Sequence, residues 1–309
     1  MNKDSKIYIA GHRGLVGSAI LKNLKSKGYT NFITRTHSEL DLTNAEQVRL
    51  FFKEEKPEYV LLAAAKVGGI VANNTYRADF LYDNLMIQNN VIHQSFENNI
   101  KKLLFLGSTC IYPKNCPQPM KEDYLLTDVL EYTNEPYAIA KIAGIKMCES
   151  YNLQYNTNYI SVMPTNLYGP NDNFDLEKSH VLPALIRKVH LGKALEVDDW
   201  QIWGTGKPMR EFLWSEDMAD ACVFLMEKID FKDTIVNKTN EIRNTHLNIA
   251  GNIKSEIGFN GNFIFNSDKP DGTLKKLTDV SKLNKLGWKH KINLQEGIAT
   301  VYEWYKKRV

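Results

Sequence analysis

The chain has 309 residues, 43% of them hydrophobic and 24% charged, with a net charge of +3. That is enough apolar material for a large core, and one nucleotide-binding domain with a smaller appended lobe fits better than two equal domains. The lysines are dispersed, so no nucleic-acid stripe or polybasic membrane anchor is expected, and no apolar run approaches the ~20 residues that a membrane span needs. Met1-Asn2-Lys3-Asp4 has no signal-peptide core, so a soluble, cytoplasmic protein is expected. Cys110, Cys116, Cys148 and Cys222 show no CxxC spacing; reduced thiols and no metal site are expected.

Strand-like runs occur at Lys6 to Ala10, Asn31 to Thr34, Tyr59 to Ala63, Lys102 to Leu106 and Tyr159 to Met163. Helix-length segments separate them, which predicts an α/β fold with a Rossmann-type doubly wound parallel sheet. The expected division is 1–170 for the nucleotide-binding domain, to which later segments return, and 171–309 mainly for a substrate lobe.

The first strand runs into Gly11-His12-Arg13-Gly14-Leu15-Val16-Gly17. Gly11 permits a tight turn, Gly14 lets backbone amides approach a pyrophosphate, and Gly17 lets the next helix pack against the strand. The spacing is GxxGxxG rather than the commoner GxGxxG. An isolated glycine triplet is often merely a turn, but strand before and helix after favour dinucleotide binding. After the second strand, where NAD enzymes place an acid for the ribose hydroxyls, stand Arg35-Thr36-His37. With Arg13 in the loop, a 2′-phosphate would meet positive charge, so NADP(H) is the expected cofactor. The alternative is that both arginines are solvated surface cations.

Asp79 to Phe96 reads as a long helix with Leu81, Leu85, Ile92 and Phe96 on one face, broadened by Met86 and Ile87. Such width suits a two-helix dimer face, although core packing explains it equally well. Ser108 follows the next strand, and Tyr137 and Lys141 stand one helical turn apart, so the ammonium can lie beside the phenol. A phenol of pKa ~10 is a poor acid or base at neutral pH. A cation ~4 Å away at an effective dielectric of ~20 contributes roughly 4 kcal/mol, or about 3 pKa units, which would bring Tyr137 near neutrality. It could then deliver a proton to a carbonyl oxygen as hydride reaches the carbon, with Ser108 orienting that carbonyl. Tyr302 and Lys306 have the same spacing, but they lie in a charged terminal run that reads as a structural amphipathic helix. From about Asn171 the rhythm breaks into loops carrying Trp200, Trp203 and Pro208, which suggests the substrate lobe.

GxxGxxG, Ser108 and Tyr137-Ala138-Ile139-Ala140-Lys141 together resemble the extended short-chain dehydrogenase/reductases that act on nucleotide sugars. More specific segments are Ala63-Ala64-Ala65-Lys66-Val67-Gly68-Gly69-Ile70, Gly107-Ser108-Thr109-Cys110-Ile111-Tyr112-Pro113, Pro164-Thr165-Asn166-Leu167-Tyr168-Gly169-Pro170 and Pro208-Met209-Arg210-Glu211-Phe212. These are similar to the branch of the family that acts on GDP-4-keto-6-deoxy-D-mannose. The resemblance implies inversion at C3 and C5 through enolates, then NADPH-dependent reduction at C4. It implies Ser108, Tyr137 and Lys141 as the reducing triad and Cys110 with His180 as the epimerising pair. In an extended segment, Ser108 and Cys110 would face the same side.

For the cofactor the resemblance implies the glycine loop, Arg35 or His37, Asp41-Leu42, Leu106-Gly107, Lys141, Pro164 to Leu167 and His180. For the GDP end it implies Lys188, Trp203, Arg210 and Asp271. Read without the resemblance, Cys110 is ordinary core filling and His180 an ordinary helix-start histidine. His37 departs from the family, which can carry an arginine there. Between Gly251 and Gly258 only Asn252 to Ile257 remain, too few for the helix the family usually has. A 4-epimerase that retains NAD, or a non-catalytic NADPH sensor, would use the same sheet. Arg35 argues against the first and the intact triad against the second.

Overall fold

A computed structural model describes residues 1–176, 179–195, 199–234, 236–238, 241–243, 246–249, 262–268 and 273–309. Asp271 and the shortened stretch after Gly251 lie outside the described residues, so the expectations placed on them are not addressed. The first half of the chain runs β1 (Ile7–Ala10), α1 (Leu15–Ser26), β2 (Phe32–Ile33), α2 (Ala45–Glu55), β3 (Tyr59–Leu62), α3 (Ile70–Thr75), α4 (Arg77–Glu97), β4 (Lys102–Leu106), α5 (Glu135–Tyr155) and β5 (Tyr159–Pro164). There follow β6 (Asn166–Tyr168), α6 (Val181–Ala194), β7 (Asp199–Trp203), β8 (Met209–Arg210), β9 (Phe212–Trp214) and α7 (Ser215–Lys228). The chain closes with β10 (Val236–Lys238), β11 (Glu241–Arg243), β12 (His246–Ile249), β13 (Asn262–Asn266), β14 (Lys275–Lys276), α8 (Ser281–Lys285) and α9 (Leu294–Lys306).

Among the described residues the main sheet has six parallel strands in the order β12-β5-β4-β3-β1-β2. Parallel strands are covered on both faces, which is why β4 and β5 are buried at every position. Alternation splits each strand between two cores. Ile7 and Ile9 join Ile20, Leu24, Met218 and Val223 beneath α1 and α7, whereas Tyr8 and Ala10 join Val48, Phe52 and Ile145 beneath α2 and α5. The chain turns one way from β1 to β2 and the other way to β3, so a crevice opens at their carboxyl ends.

Local chemistry sets the helix starts. Asn44 accepts from the amides of Glu46 and Gln47, each at 3.1 Å, and starts α2. Pro136 sits in the first turn of α5, where its missing N–H costs nothing. The buried Lys102 at the start of β4 donates to the carbonyls of Leu225, Met226 and Ile229, capping the C-terminal end of α7.

Gly17 makes a very close backbone approach in the turn after β1. A Cβ there would lie 2.1 Å from the carbonyl oxygen of Gly11, and backbone on both sides leaves no soft atom to yield. Gly17→Ala should therefore lower the unfolding free energy by about 1–3 kcal/mol, read as a shifted denaturant midpoint. An unchanged midpoint would mean that the turn relaxes freely.

Candidate active site

The turn from β1 into α1 presses against the loop after β3. Gly11 has φ +83°, and a Cβ there would meet the backbone nitrogen of Ala64 at 2.8 Å. Gly14 is the N-cap of α1 with no side-chain cap and no acid in the first turn, so the first amides of the helix stay free for an anion. The Nδ1 of His12 is buried without a hydrogen-bond partner. A glycine cradle, free helix amides and an orphaned ring nitrogen together fit a dinucleotide pyrophosphate.

The cationic residues expected nearby are arranged differently from one another. Arg13 is exposed. Arg35 is ion-paired with Glu55 and donates to the carbonyl of Thr34 at 2.9 Å. His37 is exposed, with Nδ1 3.9 Å from Asp41. Asp41 itself accepts from the amide and hydroxyl of Thr43 at 2.9 and 2.8 Å, bonds that hold its carboxyl below the usual range. It is thus a turn residue ahead of α2, beside the buried Leu42.

The triad converges where β4 meets α5. Lys141 is buried and donates from Nζ to the carbonyl of Leu106 at 2.8 Å. Its Nζ lies 4.8 Å from the Phe105 ring centre and 5.7 Å from that of Tyr137. Burial brings the ammonium down to about 7. This corrects the expectation that Lys141 brings Tyr137 near neutrality. The phenol is held above its ordinary value by burial and then by the neighbouring Cys110, and only the hydrogen bond to Ser108 lowers it. Spacing put Tyr137 and Lys141 on one helix face, but burial outweighs the attraction because the ammonium is spent on a carbonyl. Phe80 on α4 meets the Tyr137 ring edge-on at 6.4 Å and fixes its plane.

Ser108 is extended at φ −162°, but Thr109–Ile111 is a 3₁₀ turn, and the Ser108 hydroxyl accepts from the amide of Cys110 at 3.2 Å. Cys110 therefore comes round by a turn rather than by strand alternation, which corrects the extended geometry expected for this pair. Gly107 lets the segment pass Met163, whose Sδ would lie 2.3 Å from a Cβ there. Beyond the end of β5, Thr165 and Asn166 donate to the carbonyl of Glu211 at 3.3 and 3.0 Å. Pro164 to Leu167 thus lies on the same carboxyl edge as the glycine loop and Leu106–Gly107.

The remaining candidate residues stand in the later chain. His180 is the N-cap of α6 and is exposed, yet the protein packed round the ring, and after it the charge of Lys276, holds its imidazole below the usual histidine range. Lys188 on α6 donates to the carbonyl of Gln201 at 2.7 Å, and burial lowers its ammonium. Arg210 is half-buried on β8 and donates to the carbonyl of Met209 at 3.0 Å. Trp203 ends β7; its side chain lies outside the description. Lys276 was missed. On β14, 166 residues beyond Cys110, its Nζ lies 3.5 Å from the Cys110 Sγ, and neither a two-residue strand nor that separation leaves a local signal. Tyr302 contacts the Nδ1 of His190 at 3.3 Å on α9, away from the triad.

Residues 7–249 match the model of the NAD dependent epimerase/dehydratase family. The chain belongs to that family. Among its members, the chain is 56% identical to the putative GDP-L-fucose synthase 2 of Arabidopsis thaliana, over 100% of this chain and 94% of that one. It is 51% identical to the GDP-L-fucose synthase of Escherichia coli K12, over 97% of this chain and 96% of that one. The solved structure of MlghC, a GDP-mannoheptose C4 reductase from Campylobacter jejuni with NADP bound, is 46% identical and superposes with a TM-score of 0.88 over 99% of each chain.

The buried Lys141 carries a pH signature. Its ammonium titrates at about 7 in the folded chain against an ordinary 10.5, so between those values the unfolded chain holds a proton that the folded chain has lost. Stability from this group must therefore rise with pH across that window. Relative to Lys141→Met, the unfolding free energy of the ligand-free wild type should climb by about 1.4 kcal/mol for each pH unit above 7. Parallel pH profiles of the two proteins would refute a buried, titrating Lys141.

Proposed function

We propose that this chain converts GDP-4-keto-6-deoxy-D-mannose to GDP-L-fucose by inverting C3 and C5 and then reducing the C4 ketone with NADPH. The observation that supports the reading best is Ser108 and Cys110 beside Tyr137, with Lys141 fixed to the end of β4 and His180 within reach of the Lys276 charge that also meets Cys110. The 56% identity to a GDP-L-fucose synthase over the full chain supports the substrate.

The ketone makes the protons on C3 and C5 acidic, so one carbonyl serves both inversions and the reduction. Ser108 and Tyr137 hydrogen-bond its oxygen and stabilise the negative charge that develops there in each step. Cys110 removes a proton from carbon, and His180 delivers one to the opposite face. NADPH, when bound, supplies the hydride for C4. Tyr137 then gives its proton to the C4 oxygen, and Lys141, fixed by Leu106, holds the helix that carries the phenol. The glycine loop would hold the pyrophosphate at the amides of α1, and Arg13 and Arg35 would supply the positive charge for the 2′-phosphate. Asp41-Leu42 backs the adenine side, Pro164 to Leu167 backs the nicotinamide, and Lys188, Trp203, Arg210 and Asp271 hold the GDP.

The segments after Asn171 serve as the sugar lobe, apart from those that return to the main sheet. We place the enzyme in the cytoplasm; among the described residues no helix is long and apolar enough to cross a membrane. We also propose a homodimer through α4 and α5, which expose Tyr82, Ile139, Leu153 and Tyr155. A second reading, reduction of a GDP-4-keto-heptose without inversion, draws on the likeness to the Campylobacter reductase. A 4-epimerase that retains NAD is not favoured.

Incubation with NADPH and the keto-sugar in heavy water separates these readings. The wild type should consume one NADPH per sugar and yield GDP-L-fucose carrying deuterium at C3 and C5. Reduction without deuterium would select the heptose-type reductase, and no NADPH consumption would end both.

Two sets of variants divide the steps. Tyr137→Phe should slow NADPH consumption by ~100-fold or more, with Tyr302→Phe unaffected. Cys110→Ser should lose deuterium uptake yet still reduce the uninverted ketone slowly, whereas His180→Gln should keep exchange and lose correct inversion. Wild-type uptake and stereochemistry in Cys110→Ser would make that thiol core filling.

A further inference from the structure

We propose that Lys276 is the group that arms Cys110, holding its sulfur as the thiolate that takes the C3 and C5 protons; the inference rests on the epimerase reading above. An unassisted thiol is only a few per cent thiolate at neutral pH, so a base at this position needs a cation beside it. Lys276 Nζ is within hydrogen-bonding distance of the Cys110 Sγ, at 3.5 Å. Cys110 also borders Ser108, through its own amide, and Tyr137. Those neighbours are hydroxyls, and Lys276 brings the positive charge.

Lys276 is fixed from both sides, unlike a free surface cation. Leu277 donates to the Gln118 side chain and its carbonyl accepts from Met120, both at 2.7 Å. Thr278 donates to the buried carboxyl of Glu211, and Asp279 to the carbonyl of Met120, both at 2.8 Å. Before these, β14 pairs Lys275 with Met209 and Lys276 with Arg210. The strap thus joins the loop after Cys110 to the strand bearing Arg210, and its ammonium points at the sulfur.

The same charge reaches His180 and Cys116, lowering the imidazole and opposing the burial that raises the Cys116 thiol. Burial first, and then the same charge, leave the His180 ring neutral at rest and make it hold a proton loosely, so a proton it takes from solvent passes on readily to carbon on the face opposite Cys110. In each inversion, the Cys110 thiolate bonds to the proton and the C–H electron pair passes to the C4 oxygen as enolate. The His180 imidazolium then gives its proton to the same carbon from the other face. Solvent takes the proton from Cys110 and returns one to His180, so no centre gains or loses charge over the cycle.

Alkylation by iodoacetamide tests the pairing directly when its pH dependence is followed on the Cys110 peptide by mass spectrometry. An opposite charge at this distance moves a titration by about 1–3 units. Lys276→Gln should therefore raise the alkylation midpoint by at least about one pH unit, and deuterium uptake at C3 and C5 at pH 7 should fall about tenfold. Lys276→Arg should restore both, and NADPH binding should be unchanged in each variant. An unmoved midpoint in Lys276→Gln overturns the proposal, even if exchange falls, because Lys276 would then serve only to hold the sugar. If the wild type exchanges no deuterium, the epimerase reading fails, while the alkylation midpoints still decide whether Lys276 sets the state of Cys110.

Discussion

The hydrogen bond from Lys141 to the carbonyl of Leu106 joins the two elements on which the site is built. Leu106 is the last residue of β4, and Lys141 is one turn beyond Tyr137 on α5. With the ammonium anchored there, the phenol can lie only over the segment that leaves the strand, where Ser108 and Cys110 stand. The bond is made in a buried place, and desolvation costs the ammonium most of its basicity. What the bond secures is the position of the tyrosine one turn before it.

Glu211 plays the corresponding part for the later chain. It is buried, and burial pushes its carboxyl up to about 7. Its backbone carbonyl accepts from Thr165 and Asn166, while its side chain accepts from Thr278. One residue thereby ties the loop assigned to the nicotinamide to the strap that carries Lys276. The two chemistries proposed here draw on these two anchors, the first setting the tyrosine and the second setting the cation beside the thiol. Both meet at the turn from Gly107 to Cys110, where the chain passes Met163 without room for a side chain at 107.

The nucleotide-binding half was legible because its signals are local. Apolar runs gave β1, β3, β4 and β5 within a residue of their observed ends, since a strand covered on both faces must be apolar throughout. Gly11 and Gly17 were legible for the same reason, because a left-handed turn and a backbone contact each exclude a side chain. The spacing of Tyr137 and Lys141 fixed a shared helix face. It could not say where the ammonium would point, because the carbonyl that accepts it lies 35 residues upstream.

What the sequence determined by itself was therefore five strands of the sheet, the glycine turn after the first of them and the helix face that Tyr137 shares with Lys141, whereas the sixth strand, β12, was not legible. Each depends on periodicity or on steric exclusion within a few residues. Tertiary structure alone decided the electrostatics: the phenol raised rather than lowered, Arg35 paired with Glu55, Lys102 capping α7 and Lys276 beside Cys110. Charges act through space and burial rather than along the chain, so a cation 166 residues away can stand beside a thiol with no local sequence signal of the pairing.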